Sequence, residues 1–429
     1  MNIPVIEVRA WGKLVGALAP DPKLGYYAFA YDPSWRRLGI ELAPLTMPVT
    51  DSRETFIFPN LPEATFRRLP AMFADALPDD FGNALIDAWM AEHGTAKSEV
   101  TTLDRLAYMG KRGMGALEFK PALGSHRESA APLKMKSLVE EARKAVAGEL
   151  SAGIHAKAAL ANIIRVGTSA GGARAKAVVA WNPVTNQIRS GQFDIAPGFE
   201  AWIVKFDGIG KDFELGTGGD YGRTEYAYYK MAKQAGIVMS PCLLLEENDR
   251  AHFMTRRFDR DVVRGNTIKH HVQTLCAMNH LDYKQRGTHA YSELFMTVSQ
   301  LGLGDDAIQQ TFLRMAFNVM SRNYDDHTKN FSFLLKQGQS WELAPAYDVT
   351  HAHNPKGEWT YQHLMSVNGK FDGITRADLL VEADRFGVPR KQELLGDVRS
   401  ALDNWTEHAK AAGLNEGKTD ELGRDFALL

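Results

Sequence analysis

Between Val5 and Pro59 the apolar residues come in short β-rich runs, VIEV, LVGAL and YYAFAY, separated by turn clusters such as APDPKLG. That pattern predicts a small antiparallel sheet. From 64 to 94 the period lengthens. Phe66, Leu69, Met72, Phe73 and Leu77, then Leu85, Ile86, Trp89 and Met90, fall near the i, i+3, i+4 spacing of packed helices. Residues 121–135, PALGSHRESAAPLKM, lose periodicity and read as a linker. A helix is expected at about 136–163, and then IIRVGTSAGGARAKAVVAW, a Gly-rich turn entering an apolar strand. AWIVKFD (201–207) reads as a second strand, DGIGKDFELGTGGDYGRTE as a loop, and EYAYYKMAKQAGI as a helix stopped by Gly236. CLLLEE and AHFMTRRFD supply two more strands around a turn at Asn248 and Asp249. From 287 onward helices dominate. DDAIQQTFLRMAFNVMSRN begins on capping aspartates and carries Ile308, Phe312, Met315, Ala316 and Val319 on one stripe.

These patterns describe an α+β chain, and its 429 residues suit more than one hydrophobic core. The boundaries fall at 1–125, 136–255 and 256–429: a β-rich and helical N-terminal module, a sheet-containing lobe and a mainly helical lobe. Fifty basic side chains against 52 acidic ones give a formal charge of -2, so no bulk field favours nucleic acid or an anionic membrane. Cys242 and Cys276 cannot form a framework of bridges and have no metal-ligand spacing, which fits a reducing cytoplasm. The N-terminus lacks a secretory pattern, and the richest apolar stretch, IVMSPCLLL (237–245), is far short of the roughly 18 residues of a membrane span.

Candidate chemistry concentrates in SRNYDDHTKN (321–330). Asp325 and Asn330 are five apart, the interval between the hydroxyl-orienting carboxylate and the metal-binding amide in kinase catalytic loops. The following FSFLL, the polar turn KQGQS and WELAPAYDVT predict a hairpin that returns Asp348 beside that loop. Upstream, in the same order as in kinases, come the turn GTSAGG, a strand lysine (Lys205), a helix glutamate (Glu225) able to pair with it, and a strand ending in RRFDR that could serve as a hinge. Phosphoryl transfer asks for positioning and charge neutralisation, which one cation, two metal ligands and one carboxylate supply. The Gly-rich turn departs from GxGxxG, DVT stands for DFG, and HRD is absent.

TSAGGARAK, WIVKFD, RRFDR, NYDDHTKNF and LAPAYDVT together resemble the HipA family of bacterial toxin-antitoxin serine/threonine kinases. VGAL, YDPSW, DALPD and MGALEF extend the resemblance to the family's N-terminal module. The resemblance implies a two-lobed, protein-kinase-like fold, ATP and Mg²⁺ as cosubstrates, and transfer to a protein serine or threonine. On it, Asp325 is the catalytic base, and Asn330 and Asp348 hold magnesium. Lys205 binds the α and β phosphates, and Gly171, Gly172, Ala173, Arg174 and Lys176 form the phosphate-side loop. The hinge from Arg256 to Phe258 meets adenine, while His327, Lys329 and Tyr347 complete the nucleotide site. Ser169 matches an autophosphorylation site whose phosphate would repel ATP from the loop. The implied partners are a HipB-like helix-turn-helix antitoxin, through which DNA is reached, and a protein substrate such as an aminoacyl-tRNA synthetase.

Plainer readings stand beside these. Asp325, Asn330 and Asp348 could be turn residues, Lys205 a solvated strand end, and Glu225 a surface acid. His327 reads as a hydrogen-bonding residue of the loop, and Asp326 as a solvated neighbour of Asp325 that tolerates asparagine. Arg257, Asp259 and Arg260 suit a lobe-joining ion-pair network as well as a substrate contact. His270, His271 and Cys276 read as core or surface. Two other functions compete: a small-molecule or lipid phosphotransferase, and a non-catalytic pseudokinase acting as corepressor.

Overall fold

Alternation in the first 31 residues builds three antiparallel strands, β1 (Ile6–Ala10), β2 (Lys13–Pro20) and β3 (Tyr27–Tyr31), in a computed structural model that describes residues 3–78, 80–123, 176–191, 194–207, 219–247, 250–263 and 266–429. β4 (Leu117–Lys120) pairs antiparallel with β1 to complete the order β3-β2-β1-β4. Gly16 is required where β2 meets β3: a Cβ there would lie 2.1 Å from the Ala30 carbonyl and 2.7 Å from the Phe29 ring. α1 (Pro33–Leu38) starts on Asp32, which accepts the Ser34 amide. The stretch read as packed helices is divided into α2 (Glu63–Phe66), α3 (Ala71–Ala74) and α4 (Asp80–Glu92). Pro70 and Pro78 account for the breaks, since neither offers an amide N–H to continue a helix. α5 (Thr102–Met109) then carries Leu103, Leu106 and Ala107 into the module's core.

The second sheet has five antiparallel strands, β5 (Lys176–Trp181), β6 (Ile188–Ser190), β7 (Glu200–Lys205), β8 (Cys242–Glu247) and β9 (Arg250–Arg256), in the order β6-β5-β7-β9-β8. α6 (Tyr221–Gln234) lies on it so closely that a Cβ at Gly222 would be 1.9 Å from the Ala251 carbonyl. Beyond come the hairpin β10 (Arg260–Val263) and β11 (Asn266–Lys269), then β12 (His271–Thr274), α7 (Leu275–Met278), β13 (His289–Ala290), α8 (Tyr291–Gln300) and α9 (Gly304–Met320). The aspartates expected to cap α9, Asp305 and Asp306, sit inside its first turn, where they favour the helix dipole. The predicted hairpin forms as β14 (Ser332–Leu335) and β15 (Trp341–Leu343), with β12 added along β14. β16 (Met365–Ser366) pairs parallel with β13. α10 (Arg376–Arg385), α11 (Lys391–Asp403), α12 (Trp405–Ala411) and α13 (Glu416–Asp425) close the helical lobe. One large core joins α6 to α8, α9 and α11, so the sheet lobe and the helical lobe share apolar packing.

The N-terminal module is welded to the rest. Cys276, Ala277 and Leu335 sit in its core. Asp259 accepts Arg257 through two bonds (2.9 and 2.8 Å), Arg260 at 2.7 Å and the Gly115 amide at 2.8 Å, while both arginines donate to the Gly113 carbonyl. The cluster read as lobe-joining or substrate-binding is thus a fully buried junction. Burial opposes ionisation of Asp259, but the two guanidinium groups overcome it and hold the carboxyl below its usual range. Asp259→Ala should cost about 3–5 kcal/mol, because two buried cations lose their counter-charge. Since the folded pKa is depressed, the contribution is present above roughly pH 3.9 and lost as pH falls below it. Denaturant midpoints of wild type and variant should therefore differ fully at pH 7, and the difference should start to shrink only below about pH 3.9.

Among the described residues no helix is long and apolar enough to cross a membrane.

Candidate active site

β5 and β7 run side by side with apolar residues on both faces, and their register sets Lys176 directly opposite Lys205. Cross-strand partners share a face, so two lysines project together from the sheet. Ammonium groups so deep need anions nearby. Lys205 has two, ion-pairing with Glu225 of α6 and with Asp348. Burial works to lower the Lys205 pKa, and these two carboxylates raise it well above its ordinary value. Glu225 is 3% exposed and is no surface acid. The start of α6 is fastened to β7's end by Asp207, which accepts the Tyr221 and Asp220 amides at 3.1 and 3.3 Å.

The loop after α9 is anchored from the same helix: Tyr228, one turn beyond Glu225, donates to the Ser321 carbonyl at 2.6 Å. Asn330 ends a short 3-10 turn and donates Nδ2 to the Asp325 carbonyl oxygen at 2.7 Å. That bond closes the five-residue interval and leaves the amide oxygen of Asn330 as the atom able to ligate a cation. The hairpin delivers Asp348 as expected. Tyr347 just before it donates to the Lys329 carbonyl at 2.7 Å, and Arg314 of α9 donates to the Ala344 carbonyl at 2.8 Å. Asp348 itself has φ 53, a left-handed conformation that costs an L-residue roughly 1–2 kcal/mol and is tolerated because its surroundings over-determine it. Burial would raise its pKa, but the charges of Lys205 and Lys176 hold it below the usual carboxylate range.

Asp325 lies in the same cleft with 39% of its side chain open to solvent. The indole N–H of Trp359 donates to its Oδ1 at 2.8 Å. The surrounding protein pushes the carboxyl above its usual range through desolvation, opposed by His327 and by the Trp359 hydrogen bond. The reading of His327 as a hydrogen-bonding loop residue needs correction. Its Nε2 is 3.7 Å from Asp325 Oδ1, its Nδ1 is buried without a hydrogen-bond partner among the described residues, and its ring packs on Tyr283 and Trp359. Lys329 places its ammonium 4.9 Å over the Tyr283 ring, and its charge acts on the half-buried Asp75 carboxyl of the N-terminal module. Asp75 in turn accepts the Thr274 amide at 2.7 Å and its hydroxyl at 2.9 Å.

Asp326 is the largest correction. It is 1% exposed, not solvated, and accepts three hydrogen bonds, from the Tyr291 hydroxyl (2.8 Å), His363 Nδ1 (2.8 Å) and the Leu364 amide (2.7 Å). Tyr291 receives Asn318 at 2.9 Å, and Asn318 receives Asn323 at 2.9 Å, so Asp326 ends a buried polar chain beneath the loop.

At the hinge, the Arg256 and Arg257 amides already serve the Pro241 and Ala201 carbonyls at 2.9 Å each. The Arg256 side chain pairs with Glu200 at 4.0 Å, and the Phe258 ring stacks on Tyr347 at 5.8 Å. Ser169, Gly171, Gly172, Ala173 and Arg174, like the helix expected at 136–163, lie outside the described residues. Sequence reasoning missed Trp359 and Tyr228. A lone Trp in GEWTYQ carries no signal of its own, and Tyr228 is indistinguishable from a core aromatic of α6.

Among the described residues no three His, Cys, Asp or Glu side chains converge as a metal site. A carboxylate and an amide oxygen together suit Mg²⁺, which takes one or two protein ligands and completes its octahedron from phosphates and water.

A model of the HipA-like C-terminal domain matches residues 168–406, and one of the HipA N-terminal domain matches residues 6–120. No curated protein matches the chain. Among solved structures, the HipA of Shewanella oneidensis, determined in a toxin-antitoxin complex with HipB and its operator DNA, is 19% identical, covers 98% of this chain and 94% of its own, and superposes with a TM-score of 0.67. The proinflammatory kinase CtkA of Helicobacter pylori is 12% identical over 53% of this chain and 88% of its own, with a TM-score of 0.34. With its N-terminal module, five-stranded sheet lobe and helical lobe all in place, the chain has the two-lobed kinase-like fold of HipA and belongs to the HipA family.

Proposed function

We propose that this protein is an ATP- and Mg²⁺-dependent serine/threonine protein kinase and the toxin of a toxin-antitoxin pair. One observation supports the reading above all: Lys205 pairs with both Glu225 and Asp348, and Asp348 lines one cavity with Asp325 and Asn330. A part-buried lysine held by a helix carboxylate, two cation ligands and an accessible carboxylate are the parts that phosphoryl transfer needs.

In this reading Lys205, kept charged and oriented by Glu225, binds the α and β phosphates, with Lys176 beside it. Asn330 and Asp348 hold Mg²⁺, which neutralises charge on the β and γ phosphates when bound. The Phe258 amide, the hinge donor that the sheet does not use, meets the adenine edge, with the Phe258 and Tyr347 rings bordering it. Asp325 accepts the hydrogen bond of the serine or threonine hydroxyl. As the hydroxyl oxygen bonds to the γ phosphorus, the bond to the ADP oxygen breaks and the hydroxyl proton passes to Asp325. Family membership and the assembly named for the Shewanella relative support a HipB-like helix-turn-helix antitoxin as partner, with DNA reached through it. The acceptor is a component of translation, such as an aminoacyl-tRNA synthetase.

The test is labelled ATP with Mg²⁺ and a cell lysate, wild type beside Asp348→Asn. The wild type should label itself or a lysate protein, and the variant should not. Absence of label in both ends the kinase reading. Ser169 in the Gly-rich turn is proposed as the site of inhibitory autophosphorylation. A Ser169→Ala protein should then hold its activity during preincubation with ATP while the wild type declines; equal decline removes Ser169 from the account.

A further inference from the structure

The two oxygens of Asp325 have different surroundings. Oδ1 receives the Trp359 indole N–H at 2.8 Å, whereas Oδ2 receives no hydrogen bond among the described residues. Trp359 comes from the segment between Asp348 and α10, 34 residues beyond Asp325, and belongs to none of the hydrophobic cores. It is half-buried, and its neighbours Pro355, Lys356, Glu358 and Tyr361 are exposed. Among the described residues its ring meets that of His327, and its N–H meets Asp325.

The backbone around it is built to hold it. The Asn354 amide donates to the Thr360 carbonyl at 3.0 Å, and the Gly357 amide donates to the Asn354 carbonyl at 2.9 Å. Asn354 Oδ1 accepts the Lys356 amide at 3.1 Å, and Arg286 donates to the Glu358 carbonyl. A closed turn thus presents one N–H to one carboxylate oxygen.

Building on the kinase reading, we propose that Trp359 is a positioning residue for the acceptor: its indole N–H holds Asp325 Oδ1 and so turns Oδ2 toward the incoming serine or threonine hydroxyl. An indole N–H can only donate, and here it is spent on Oδ1, which leaves Oδ2 to accept from the hydroxyl. It also cannot take the acceptor's proton. What it contributes is the fixed rotation of the carboxylate, which otherwise turns freely about its terminal torsion.

Trp359→Phe keeps the ring and removes the N–H, and Trp359→His restores a ring N–H. Initial rates of label incorporation from ATP into the chain itself and into casein should fall about ten- to a hundredfold in the phenylalanine variant, the range for a hydrogen bond to a charged group. KM for ATP, ADP affinity and melting temperature should stay at wild-type values, and the histidine variant should recover part of the rate. A phenylalanine variant that transfers at the wild-type rate overturns the inference. So does one whose rate falls in step with nucleotide affinity or with stability, since that marks a structural role. A wild type that incorporates no label overturns the kinase reading itself, and this inference with it.

Discussion

Asp325→Asn should bind nucleotide as the wild type does and transfer phosphate roughly 100- to 10,000-fold more slowly, the usual worth of a positioned general base. Both hydrogen bonds of this residue survive the change. Asn330 reads its backbone carbonyl, not its carboxylate, and Trp359 can donate to an amide oxygen as well as to a carboxylate oxygen. What is lost is the negative charge and the ability to accept a proton. Initial rates with labelled ATP, alongside displacement of a fluorescent nucleotide and a thermal melt, separate the two effects. Transfer within a few-fold of wild type would remove Asp325 from the chemistry.

Asp326→Ala should do the opposite and attack the fold first. Its carboxylate satisfies Tyr291, His363 and the Leu364 amide in a site closed to water, so truncation strands three polar groups at once. A loss of about 3–5 kcal/mol follows for a buried carboxylate network that loses its anion. The denaturant midpoint should fall accordingly, and activity should decline together with the folded fraction. A variant as stable as wild type would mean that water or a rearranged His363 replaces the carboxylate. Two adjacent aspartates, one in each role, make the pair a direct comparison of chemistry with architecture.

Much of the site was legible because its parts are local. A lysine ending an apolar strand, an aspartate and an asparagine five apart, and a hairpin returning an aspartate are patterns of spacing, and spacing is what a chain displays. Lys205 meets Asp348, Asn330 closes on the Asp325 carbonyl, and Glu225, open between surface and site, is drawn in because α6 presses Gly222 onto β9. The division of the 64–94 segment was also legible in principle, since Pro70 and Pro78 stand between the helices, ahead of α3 and α4.

By itself the sequence determined the elements, their order and the types of group available for phosphoryl transfer, because strand alternation, helical period and turn chemistry act between residues a few positions apart. Only the tertiary structure decided which aspartate faces the cleft and which lies beneath it. Asp325 and Asp326 are chemically identical neighbours, and their fates diverge through Trp359, Tyr291 and His363, which lie 34, 35 and 37 positions away. Likewise Asp259 became a lock rather than a substrate contact because Gly115, 144 positions earlier, donates its amide to it and the Gly113 carbonyl accepts from Arg257. Burial and pairing depend on which distant segments pack together, and a carboxylate carries no local mark of the neighbours that will surround it.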